Sequence, residues 1–148
     1  MGIKIIFIGG LADGDTKNLF DVKESFVNSN SDLDVQYYSH KDTDKIIKYI
    51  DANSDTRFSI VGHSYGGDTA MEIVNKRPGR VSVLLTLDPE GSGGRRFLSN
   101  VGQHVETWIN VNATGGHSLD GDNVVSGLGD LWGGGPYRRL PSSIPSFI

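Results

Sequence analysis

The sequence predicts a single α/β domain, a three-layer αβα sandwich with a mostly parallel central sheet. Three observations carry this expectation. Short β-branched apolar runs alternate with amphipathic stretches of about ten residues, the pattern of strand–helix repeats. The runs are nearly continuous in apolar residues, as strands buried on both faces read. Three of them stop abruptly, at Gly9-Gly10, at Gly62 and at Asp88-Pro89, as strands do where the chain turns out of a sheet.

Taken in order, Ile3 to Ile8 reads as the first buried strand. Thr16 to Val27 follows, with Leu19, Val22 and Phe26 at helical spacing. Asp34 to Tyr38 alternates as a second strand. Asp44 to Ala52 is a helix with Ile46, Ile47 and Ile50 on one stripe, and Asp42 or Thr43 can cap it. Arg57 to Val61 is the third strand. The next helix, Asp68 to Lys76, has Ala70, Ile73 and Val74 facing inward and stops at Pro78-Gly79. Val81 to Leu87 is the fourth and most hydrophobic strand, and Glu106 to Val111 the fifth, with a short helix around Phe97 to Val101 between them. From about residue 112 an irregular segment rich in Gly and Pro begins. Trp132, Tyr137, Leu140 and Phe147 are its candidate anchors.

With 148 residues, 36% hydrophobic and 22% charged, the chain suits one globular domain. Its 20 glycines are about twice the usual share of roughly 7%, so tight turns and close backbone approaches are expected. The net charge of -4 and pI near 5.4 argue against nucleic acid as a partner, since phosphate binding needs a basic face. Arg95-Arg96 and Arg138-Arg139 read as solvated loop pairs before they read as an anion site. There is no Cys, so neither thiolate chemistry nor a Cys-based metal site is available. Ile3 to Ile8 is too short for a signal-peptide core, and no run approaches the length of a transmembrane helix. A cytoplasmic address is the default expectation; export by a route without such a signal stays open.

Chemistry enters at Gly62-His63-Ser64-Tyr65-Gly66, a G-x-S-x-G pattern between a buried strand and a helix. That context makes a nucleophile elbow: the strand reverses sharply into the helix and holds Ser64 in a strained conformation, with room only for Gly at 62 and 66. The helix N-terminus aims its free N–H groups and positive dipole end at the serine. The Tyr65 N–H is one oxyanion-hole donor. His63, beside the serine in sequence, is poorly placed to reach its Oγ and reads as a packing residue.

The segment Ser59 to Gly67 resembles the elbow of α/β-hydrolase-fold lipases and esterases, and the order of elements is similar from Ile3 to about Val111. The resemblance implies a minimal α/β-hydrolase fold and a Ser-Asp-His triad. It places the acid after a later strand, and Asp88 stands there, 24 residues beyond Ser64, as in pancreatic-type lipases; Glu90 is the reserve acid. It places a His nearer the C-terminus. His104 precedes the fifth strand, at the wrong end. His117 follows it on the correct edge and is the expected base, although the family presents this His after one further strand. The second oxyanion donor is expected from the loop after the first strand, at Gly10 or Leu11.

Other readings of these residues are weaker. Gly9 to Thr16 nearly matches a P-loop, but Asp15 replaces the lysine and would repel a triphosphate. Gly9-Gly10 also misses the dinucleotide spacing. His117, Asp120 and Asp122 read as polar loop residues rather than metal ligands. The expected chemistry is therefore hydrolysis of a carboxylic ester, thioester or amide, without metal or organic cofactor, at an open lidless site. The substrate is a small molecule or an ester carried on a larger surface. Two other classes compete: a binding module with a degraded triad, and an interaction protein that docks through residues 140–148.

Overall fold

In a computed structural model, which describes residues 3–11, 13, 18–89, 95–111 and 138–139, the apolar runs lie side by side as one sheet. The strands are β1 (Ile3–Gly9), β2 (Asp34–Ser39), β3 (Arg57–His63), β4 (Val81–Leu87), β5 (Thr107–Val111) and the two-residue β6 (Arg138–Arg139). Their spatial order is β2-β1-β3-β4-β5-β6, and every pairing is parallel. Parallel neighbours need crossovers, and four helices among the described residues lie in them: α1 (Asn18–Ser29), α2 (Thr43–Ala52), α3 (Tyr65–Lys76) and α4 (Arg95–His104).

Alternation along the strands divides the helices between the two faces. Ile6, Ile8, Phe58, Ile60, Leu84 and Trp108 form one face. They pack with Ile46 and Ile50 of α2, Met71, Ile73 and Val74 of α3, and Leu98 and Val101 of α4 in one buried cluster. Phe7 faces the other way and meets Phe26 of α1, with ring centroids 6.1 Å apart. The α/β class is therefore as expected, with helices on both faces, compatible with three layers. On the α1 side, Val61, Leu85 and Ile109 share one register row and are partly exposed.

Several strand and helix ends differ from expectation by one to three residues: α1 runs Asn18–Ser29 rather than Thr16 to Val27, and β3 reaches His63 rather than Val61. Two further differences have a packing reason. α3 begins at Tyr65 rather than Asp68, because Gly66 and Gly67, poor helix formers, occupy a first turn too tight for a side chain. α4 runs Arg95–His104 rather than Phe97 to Val101, anchored by buried Leu98 and Val101. The two arginine pairs, expected in loops, have their backbones in elements: Arg95-Arg96 opens α4, and Arg138-Arg139 extends the sheet beside Ile109 and Asn110. Among the described residues no helix is long and apolar enough to cross a membrane.

Candidate active site

The strand order sets where a site can form. From β1 the chain moves outward to β2, then returns to the far side of β1 for β3 and continues outward through β4 and β5. The crossovers on the two sides diverge at the C-terminal ends of β1 and β3, which leaves a crevice at this switch point. Gly10 follows β1 at this point and Ser64 follows β3.

Ser64 has φ 54° and ψ -126°, a conformation that side chains rarely adopt. It persists because its neighbours leave no alternative. Its N–H donates to the Leu87 carbonyl at 2.9 Å, and its own carbonyl accepts from the Gly67 N–H at 2.8 Å. A Cβ on Gly66 would fall on the Ile8 carbonyl oxygen, and one on Gly62 would lie 2.8 Å from the Gly67 Cα. The elbow is thus pressed onto β1 and onto its own helix with hydrogen atoms in place of side chains.

The loop after β1 reaches the serine directly. A Cβ on Gly10 would lie 2.7 Å from the Ser64 Cβ and 3.2 Å from its Oγ. The expected oxyanion loop is therefore in contact with the expected nucleophile. The Asp13 N–H closes a turn onto the Gly10 carbonyl at 3.3 Å, a bond that does not use the Leu11 N–H. Tyr65 follows Ser64 as the first residue of α3, 39% exposed, with its ring 5.7 Å from that of His40. Leu11, next after Gly10, is 63% exposed.

Asp88 is the second described non-glycine residue with positive φ, at 43°. His63 pairs with Leu87, so Asp88 leaves β4 beside the point where Ser64 leaves β3, about 5 Å away across the sheet. Its N–H donates to the Val111 carbonyl at 2.7 Å. Pro89, next in the chain, packs on the elbow helix, since a Cβ on Gly67 would lie 2.8 Å from the Pro89 Cβ. Below this turn Thr86 donates to Asn110 Oδ1 at 2.6 Å and accepts from Trp108 Nε1 at 3.0 Å, all three buried. The network fixes the register of β4 on β5 beneath the carboxylate.

The structure thus brings together Ser64, Gly10, Leu11, Tyr65 and Asp88. His117, Glu90, Asp120 and Asp122 lie outside the described residues. His104 ends α4 with Nδ1 3.2 Å from Asn75 Oδ1, where its carbonyl accepts the Gly79 N–H, away from the crevice. Among the described residues no hydrogen bond joins an imidazole to Ser64, and the Nδ1 atoms of His40 and His63 are buried without a partner. Burial of His63 Nδ1 agrees with a packing role. No three His, Asp or Glu side chains among the described residues form a group that could hold a metal ion.

Sequence reasoning passed over Asp13, Tyr37 and His40. Asp13 is 3% exposed and accepts from the Tyr37 hydroxyl; burial first, then this carboxylate, pushes the Tyr37 phenol well above its ordinary range. His40 follows β2, its carbonyl accepting from Thr69 at 2.8 Å. A carboxylate inside a Gly-rich loop was the available signal for Asp13; its partner depends on which strand lies next to β1. Asp68, half-buried in the first turn of α3, is pushed up to about 6, by burial first and by Glu72 second.

No family model, curated protein or solved structure matches this chain.

Proposed function

We propose that this chain is a serine hydrolase with a minimal α/β-hydrolase fold, which cleaves a carboxylic ester, or a thioester or amide, through an acyl-enzyme. One observation carries the reading: Ser64 is held at positive φ in the switch-point crevice, between the Gly10 backbone and the Leu87-Asp88 turn. Strain of this kind persists where the surroundings over-determine it, and it clusters at functional sites.

In the proposed mechanism Ser64 Oγ attacks the carbonyl carbon while an imidazole takes its proton. The Tyr65 N–H and that of Gly10 or Leu11 bind the developing oxyanion. The imidazole then gives the proton to the leaving group, and water releases the acyl group by the same route. His117 is assigned as the base, from the connection between β5 and β6, and Asp88 as the group that orients it and stabilises its charge. Exposed Leu11, next to Gly10, and exposed Tyr65, next to Ser64, favour an open site with apolar footing for a small or surface-borne ester. No step uses a metal or an organic cofactor.

A second reading, a non-catalytic binding module on the same fold, draws on one observation. The hydrolase family presents its base after one further strand, and His117 precedes β6 in the chain. Intact-mass kinetics with a fluorophosphonate separate the two. Rapid single labelling of the parent, absent from Ser64→Ala and slowed at least about 100-fold in His117→Ala, supports the hydrolase and its base. A folded parent that stays unlabelled makes the binding module the better reading.

A further inference from the structure

Two groups near the crevice take no part in that mechanism, yet they are bonded to each other and to the loop that touches Ser64. Asp13 Oδ1 accepts the Leu19 N–H at 2.7 Å, and Oδ2 accepts the Tyr37 hydroxyl. Leu19 lies in the first turn of α1, so Asp13 satisfies one of the orphan N–H groups of a helix N-terminus. Tyr37 lies on β2 opposite Phe7 of β1, and its ring stands edge-on to Phe20 of α1 at 5.3 Å. One buried carboxylate therefore joins the loop after β1, the start of α1 and the end of β2.

The joint is fitted to its place. A carboxylate accepts only, so it can serve two donors at once, and such bonds are stronger than neutral ones. A Cβ on Gly9 would fall on the Tyr37 hydroxyl and lie 2.9 Å from Asp13 Cγ, so the bond needs Gly at that position. Asp13 also donates its own N–H to the Gly10 carbonyl, and Gly10 rests on Ser64. The contacts run Tyr37, Asp13, Gly10, Ser64. Oxyanion donors work only when held within about 0.5 Å of their place, and a Gly-Gly loop has no stiffness of its own.

We infer that Asp13 and Tyr37 are positioning residues, a lock that holds the Gly10 and Leu11 N–H groups over the Ser64 hydroxyl. The inference rests on the serine-hydrolase reading. It predicts that losing the lock slows the bond-forming step without weakening reagent binding, because the donors are needed most in the pentacoordinate transition state at phosphorus, where charge builds on the phosphoryl oxygen as fluoride leaves.

Fluorophosphonate labelling at several concentrations tests this, read as limiting rate, half-saturating concentration and final labelled fraction. Tyr37→Phe, which deletes one hydroxyl, should lower the limiting rate about tenfold, and Asp13→Ala about 100-fold. The half-saturating concentration and the labelled fraction should stay at the parent values. Asp13→Asn can accept from Leu19 with its oxygen and donate to the Tyr37 oxygen, and should recover to within about threefold of the parent. A merely structural role would lower the labelled fraction and leave the rate of the labelling molecules unchanged. That result, a parent rate in Tyr37→Phe, or an Asp13→Asn no faster than Asp13→Ala overturns the lock while the hydrolase stands. A parent that does not label removes the hydrolase reading and the lock with it.

Discussion

Where the strands begin, charged side chains join the elements. Lys4 bridges to Asp34 across β1 and β2, and holds its carboxyl below the ordinary range. Arg57 bridges to Glu106, and Arg77 to Asp51. Arg80 Nη2 donates to the carbonyls of Ile50, Asn53 and Thr56 at 3.1, 2.7 and 3.2 Å, closing the end of α2 and the entry to β3. Where the strands end, Gly62 and Gly66 lie against backbone and Gly10 against the Ser64 side chain, each too close for a side chain of its own, and the two described non-glycine residues of positive φ stand side by side. The exposed ion pairs of the first edge contribute little each, and their side chains can rearrange. The second has no slack. Among the described residues the positive-φ strain stands at one edge of the sheet, so the strain at Ser64 is borne by elements whose other ends are ordinarily bonded.

The largest expected effect breaks the no-slack edge. Gly66→Ala puts a methyl group on the Ile8 carbonyl, backbone that cannot step aside. It should cost about 3 kcal/mol in urea unfolding, near the upper end for overpacking, and abolish fluorophosphonate labelling of whatever still folds. A variant that labels at the parent rate would show that the elbow does not depend on this contact. Next comes the opposite edge. Arg80→Ala removes a charged donor from three carbonyls and should cost about 2 kcal/mol, while the labelling rate stays at the parent value. A slowed rate at saturating fold would mean that the two edges are coupled.

The smallest effect concerns Asp68, which stands between the two regimes in the first turn of α3. Its pKa in the fold, about 6, lies above the unfolded value, so between about pH 4 and 6 the native state holds the extra proton. Its contribution to stability is therefore greatest below pH 4 and is lost as pH rises through 6. Asp68→Asn should be more stable than the parent by about 1 kcal/mol at pH 7, a figure reduced for partial exposure, and equal to it at pH 4. Melting temperatures across that range read the difference; a constant offset would mean that the carboxyl is not responsible.

How much of this was legible in the sequence follows from the range of the interactions involved. Val81 to Leu87 was bounded correctly, because a nearly continuous apolar run between Pro78-Gly79 and Asp88-Pro89 leaves little choice. The elbow was legible because strand, glycines and helix are contiguous. The first turn of α3 was not, since propensity argues against Gly66-Gly67 in a helix and only contact with β1 favours it. The bond between Tyr37 and Asp13 depends on β2 lying next to β1, a fact of strand order that no local pattern encodes. β6 pairs through two residues, too few for any periodicity.

The place of β1 between β2 and β3 also has a consequence in time. β1 must find a partner that begins 54 residues later in the chain, with β2 already on its other side, so the central pairing is non-local and no hairpin can nucleate it. Chains dominated by such pairings fold in milliseconds to seconds rather than microseconds. The turn at Ser64 is forced only once Gly66 has come down on the Ile8 carbonyl. A nascent or refolding chain therefore carries an ordinary, unstrained serine until the sheet has closed around it, and the positive φ of Ser64 appears only with that closure.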